Sequence, residues 1–67
     1  MSVSSVSTVT ATSPVSFQDA IEQGFSRAQQ TLRGIQSIEV VAEQASVEKG
    51  QIKNYIVELK IVFTLEG

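Results

Sequence analysis

The segment "NYIVELKIVFTLEG" at residues 54–67 constrains the fold most, because as a β-strand it offers two usable faces. Strand side chains alternate at period two, so Tyr55, Val57, Leu59, Ile61, Phe63 and Leu65 form one unbroken apolar row. The opposite row holds Asn54, Ile56, Glu58, Lys60, Val62 and Thr64. An antiparallel strand with one side on a core normally shows water a polar face. Ile56 and Val62 depart from that pattern, and the sequence must supply a cover for them.

Length makes the demand harder to meet within one chain. The 67 residues suffice for one domain, expected to span residues 1–67. A domain of this size buries only about 60% of the surface its unfolded chain exposes. Small folds compensate with disulfides, a structural metal or oligomerisation. There is no cysteine to form a disulfide, and with no histidine either, the usual structural zinc ligands are missing. Oligomerisation is the support that remains.

Charge and hydropathy narrow the partners. The net charge is −2 and the five Lys and Arg residues are scattered, whereas nucleic-acid binding draws on concentrated basic surface to neutralise phosphates. No nucleic-acid partner is expected. No apolar run reaches the roughly 18 residues of a bilayer span, so no membrane association is expected. The start "MSVSSVSTVTATSP" has neither a basic opening nor a continuous apolar stretch, unlike a signal peptide. With the lack of cysteine, the expected location is cytoplasmic.

Along the chain, "SVSSVSTVTA" has the composition of a disordered tail, yet its valines and threonines suit a pleated backbone. The next stretch is the clearest element. Phe17, Ala20, Ile21, Gly24, Phe25, Ala28, Leu32 and Ile35 recur at spacings of three and four, one apolar helical stripe. Ser16 stands where an N-cap belongs, Asp19 places a negative charge near the positive helix end, and Gly34 suits a left-handed terminating residue. Gly24 within the stripe costs about 1 kcal/mol relative to alanine. It marks either a special backbone site or, more economically, a close approach to another backbone.

Two strands follow. "QSIEVVAEQASVE" alternates Ile38, Val40 and Ala42 against Ser37, Glu39, Val41 and Glu43. Lys49-Gly50 reads as a tight turn, and "QIKNYIVELKIVFTLE" as a long strand pairing back antiparallel. The expected class is α+β, in the order β-α-β-β: a three-stranded antiparallel sheet wrapped on one helix. That helix covers one sheet face and leaves Ile56, Val62 and Val41 on the other.

Taken in order, "ATSPVSFQDAIEQGFSRAQQTLRG", "IEVVAEQASVEKG" and "YIVELKIVFTLEG" resemble the dodecin family along nearly the whole chain. The "TSP" before the helix, "TLR" at its end, "EVV" in the second strand and the closing "FTLEG" carry the resemblance. It implies a hollow homododecamer built from trimers, in which other copies of the chain are the partners that cover the second sheet face. It also implies a flavin, FMN or riboflavin, held at subunit junctions by a stacking tryptophan and a hydrogen-bonding glutamine. Here Ser37 occupies the tryptophan position and Ile56 the glutamine position. Serine supplies no stacking surface, worth about 0.5–1.5 kcal/mol beyond buried area for an aromatic pair. Isoleucine leaves a polar ligand edge without a partner. The expectation is therefore a cage that sequesters a small molecule, a flavin with weakened or altered binding.

The rival expectation is a structural or cation-binding assembly without flavin. Glu58 and Lys60 lie together on the non-helix row. They form a solvated rim, or ion pairs between subunits with Arg27, Arg33 or Glu39, or a cation site where carboxylates from several copies converge on a symmetry axis. With no base or thiol for nucleophilic catalysis and no glycine-rich phosphate loop, the chain is not expected to be an enzyme.

Overall fold

A computed structural model describes residues 3–65. The elements are β1 (Val3–Ser13), α1 (Phe17–Thr31), β2 (Ile35–Glu48) and β3 (Gln51–Leu65), in the order the sequence predicts. The strands form one sheet in the order β1-β3-β2, with β3 antiparallel to both neighbours. The two-faced strand is thus the central one. A serine- and threonine-rich β1 needs a strong neighbour, and it pairs with β3 from Val3↔Leu65 to Ser13↔Tyr55.

The helix starts where its cap predicts. Ser16 has extended backbone, and its hydroxyl accepts a hydrogen bond from the Asp19 N–H at 2.9 Å. Ahead of it, the buried Ser13 hydroxyl donates to the Asp19 carboxylate and accepts from the Val15 N–H at 3.0 Å. The other end departs from expectation. The helix stops at Thr31 with Leu32 as an extended cap, and the Leu32 N–H donates to the Ala28 carbonyl. Gly34 does adopt a left-handed φ of 70°, but it leads the chain into β2. Its carbonyl accepts from the Thr64 N–H at 2.9 Å. Ile35, at the end of the helical stripe by spacing, is the first residue of β2 and packs at the core edge.

The core is small. Val57, Leu59 and Ile61 of β3 are fully buried beneath Ala20 and Ala28 of α1, with Val9, Ala11, Phe17, Ile21 and Leu32 packed around them. Phe17 meets Tyr55 edge to face, ring centroids 5.0 Å apart, so Tyr55 lies on the helix side. A Cβ at Gly24 would stand 2.8 Å from Leu59 Cδ1 and 3.2 Å from Ala11 Cβ. That is the close approach expected for this glycine.

The 15-residue α1 is about 22 Å long at 1.5 Å per residue. The 15-residue β3 runs about 50 Å at about 3.3 Å per residue. One helix therefore covers less than half of the helix-side sheet face. Beyond the Ser13↔Tyr55 pair, β2 and β3 continue without β1 as a two-stranded arm. Lys49 (φ 53°) and Gly50 (φ 75°) close it, both left-handed as a two-residue hairpin turn requires. Lys53 pairs with Glu48 at 2.9 Å across the arm, an exposed ion pair.

β2 does not keep one alternation. Its register against β3 slips between Ile35 and Ser37, between Val40 and Ala42, and near Ser46. An extra residue in one strand bends it and exchanges the faces beyond. Val41 is such a residue. Before it, Ile38 and Val40 oppose Ile61 and Leu59; after it, Glu43 opposes Val57, while Ala42 and Gln44 oppose Glu58 and Ile56. Ala42 therefore shares a face with Ser37 and Glu39, contrary to the simple alternation, and Glu43 lies on the helix side.

Candidate functional site

The sheet face turned away from α1 consists of cross-strand rows read from the register. Thr12, Ile56 and Gln44 form one row, and Thr10, Glu58 and Ala42 the next. Thr8, Lys60 and Glu39 follow, then Val6, Val62 and Ser37. Directly opposed side chains have Cβ atoms about 4.5–5.5 Å apart, so each row is a contact set. Among the described residues, no element covers this face. On this face Val6 is 50% exposed, whereas the exposed Val47 and Ile52 of the arm pair on the opposite, helix-side face. A polar-out face would not show water a half-exposed Val6 beside Val62.

Ser37 and Ile56 both lie here, but the chain does not bring them together. Ser37 sits beside Val62, six residues along β3 from Ile56, a separation of about 20 Å at about 3.3 Å per residue. Ser37 is exposed and Ile56 half-buried. Within one chain the two positions therefore belong to different parts of the face. Neither residue takes part in a side-chain hydrogen bond among the described residues.

Around Ile56 the face is hollowed. A recess of about 150 Å³ is lined by Thr10, Ala42, Gln44, Ile56 and Glu58. Its origin is a size mismatch, since Ala42 projects one methyl among longer neighbours. Small-molecule pockets occupy about 300–1,000 Å³, so the recess is too small to enclose a whole ligand of that class. Gln44 and Ala42 reach it only because of the Val41 bulge. Sequence spacing could not place them there; the adjacent Val40-Val41 pair, which interrupts strict alternation, was the visible signal.

A larger cleft of about 340 Å³ lies between α1 and the free edge of β1. Ala11, Gly24 and Ala28 are among the small residues lining it, with Gln23 and Arg27 also on its wall. It contains neither Ser37 nor Ile56. Among the described residues, no three acidic side chains gather as a metal site, and no helix is long and apolar enough to cross a membrane.

Comparison with known proteins gives a consistent picture. The family model described as Dodecin matches residues 3–66. The structure of dodecin from Streptomyces coelicolor is similar at 35% identity and a TM-score of 0.93, covering 98% of this chain and 94% of that one. An arginine-to-alanine mutant of Thermus thermophilus dodecin matches at 28% identity and a TM-score of 0.94, with all of both chains covered (100% and 100%). A third relative is the calcium chelating immunodominant antigen, calcium dodecin, from Mycobacterium tuberculosis, described as having a novel calcium-binding site. It matches at 26% identity and a TM-score of 0.82, covering 96% of this chain and 91% of that one. No curated protein sequence matches significantly.

Proposed function

This chain belongs to the dodecin family, and from that premise we propose that it assembles into a homododecameric cage that sequesters a small molecule, a flavin such as riboflavin or FMN. The uncovered sheet face carries the proposal. It presents Val6, Ile56 and Val62 in line with Ser37, Glu39 and Gln44, a surface with too much apolar area for water and too many polar groups for a plain core. Copies of the chain packed around a ligand satisfy both demands. Residues 1–67 act as one unit in this assembly, which is cytoplasmic and has no catalytic role.

The positions that border the ligand by resemblance, Ser37 and Ile56, do not support the family's usual pose. Serine offers no ring to stack on and isoleucine no hydrogen bond. Binding is therefore weaker or differently posed, with the polar groups beside Ile56 available in its place. Riboflavin titrated with the purified protein should lose fluorescence, and native mass spectrometry should show twelve copies. Unquenched riboflavin at micromolar protein, or a monomer spectrum, overturns the proposal.

The Mycobacterium tuberculosis relative, described as calcium chelating, favours a second function: a cation-binding cage without flavin. The described residues bring no three acidic ligands together in one chain, so carboxylates such as Glu58 would have to converge from several copies. Calorimetry with calcium, and metal analysis of protein purified without chelators, separate the two functions.

A further inference from the structure

The recess at Ala42 carries a chemical code of its own. Thr10, Gln44 and Glu58 surround it, and none of their side chains is engaged in a hydrogen bond among the described residues. Gln44 opposes Ile56, Glu58 opposes Ala42, and all of them share the open face. Gln44 and Glu58 are therefore diagonal neighbours, about 7–8 Å apart along adjacent strands. Both long side chains line the same recess, so a single ligand edge seated there meets the two together.

The two groups are chemically unlike. A carboxamide brings two N–H donors and an acceptor, while an ionised carboxylate accepts only. Their natural complement is an edge with a carbonyl beside an N–H: the carbonyl accepts from Gln44 and the N–H donates to Glu58. The Thr10 hydroxyl can serve either. A phosphate is a poor match, because Glu58 would repel it. Ile56 borders the recess with an apolar surface on which the flat body of a heterocycle can rest.

We infer that the Ala42 recess reads the amide edge of a heterocyclic ligand, with Gln44 as donor to its carbonyl and Glu58 as acceptor of its N–H. This rests on the proposed flavin binding, since the pyrimidine end of a flavin has such an edge. Within it, Gln44 and Glu58 become specificity-determining residues, and hydrogen bonding that Ile56 cannot supply comes from its cross-strand neighbour.

The test compares riboflavin with its N3-methyl derivative, in which the donor N–H is replaced, on the intact protein by fluorescence quenching. Methylation should weaken binding to the natural chain roughly tenfold, the loss expected for a hydrogen bond to a charged group. On Glu58→Ala the two flavins should bind alike, and Gln44→Ala should weaken riboflavin by a similar factor. Equal binding of both flavins to the natural chain overturns the inference and needs no variant to fold. Should the natural chain bind too weakly to measure, the same pair is titrated on Ser37→Trp, which supplies a stacking ring. Binding there that ignores methylation removes the recess assignment and leaves flavin binding standing. No flavin binding to either protein removes both.

Discussion

Gly24 on α1 faces Leu59 on β3 so closely that a Cβ at position 24 would lie 2.8 Å from Leu59 Cδ1. The helix meets the sheet across a missing side chain. Gly24→Ala removes the helix penalty of glycine, about 1 kcal/mol, but overfills a site where Leu59 is fully buried and Ala11 Cβ would be 3.2 Å away. Overpacking of this kind costs about 1–3 kcal/mol. Gly24→Ala should therefore lower stability by about 1 kcal/mol, seen as a lower denaturant midpoint at unchanged slope. A raised midpoint would contradict the packing described.

Ser13 ties the end of β1 to the start of α1. It is fully buried, donates to the Asp19 carboxylate and accepts from the Val15 N–H. Ser13→Ala leaves that N–H without this partner and removes one hydrogen bond to a charged group, a loss of about 2 kcal/mol. Thermal unfolding followed by circular dichroism should show a melting temperature several degrees lower. A melting curve superimposable on the natural one would mean the contact adds nothing.

Ser37 stands on the open face beside Val62, with nothing aromatic to offer a planar ligand. Ser37→Trp restores a stacking surface worth about 0.5–1.5 kcal/mol beyond the area buried. Riboflavin affinity should rise at least severalfold, with deeper quenching at saturation. No change would place the ligand away from β2, and the proposed site would have to move.

Val62 lies between Val6 and Ser37 on the face that no element of the described residues covers. A charge buried at a subunit contact without a partner is costly, whereas the same charge in water is harmless. Val62→Lys should keep the circular dichroism of the folded chain and shift native mass spectra from twelve copies to fewer. An intact dodecamer would falsify the assignment of this face to subunit packing.

Much of the fold was legible from local chemistry. Ser16 announced the helix start, and the apolar stripe through Ala20, Gly24 and Ala28 announced its buried face, the same residues found buried. Lys49-Gly50 announced the hairpin, and both residues are left-handed. The end of α1 differs from the spacing because a left-handed glycine serves a strand entry as well as a helix cap, and Gly34 serves the former. The second half of β2 departs from simple alternation because Val41, a good strand residue, does not reveal that it has no partner in the register. Ser37 and Ile56 were placed on one face by alternation, but their distance along it, and Gln44 beside Ile56, could be seen only with the strands paired.

The amino-acid sequence alone determined the order of elements, the capped helix, the tight turn and the apolar row on β3 that meets the helix. Each follows from residues near one another in the chain, where backbone preference and period act directly. Tertiary structure alone decided that β3 is central, that Val41 bulges, and that Gln44, Ala42 and Glu58 surround one recess. Those outcomes depend on backbone hydrogen bonds between strands far apart in sequence. A slip of one residue there exchanges the two faces while leaving every local preference satisfied.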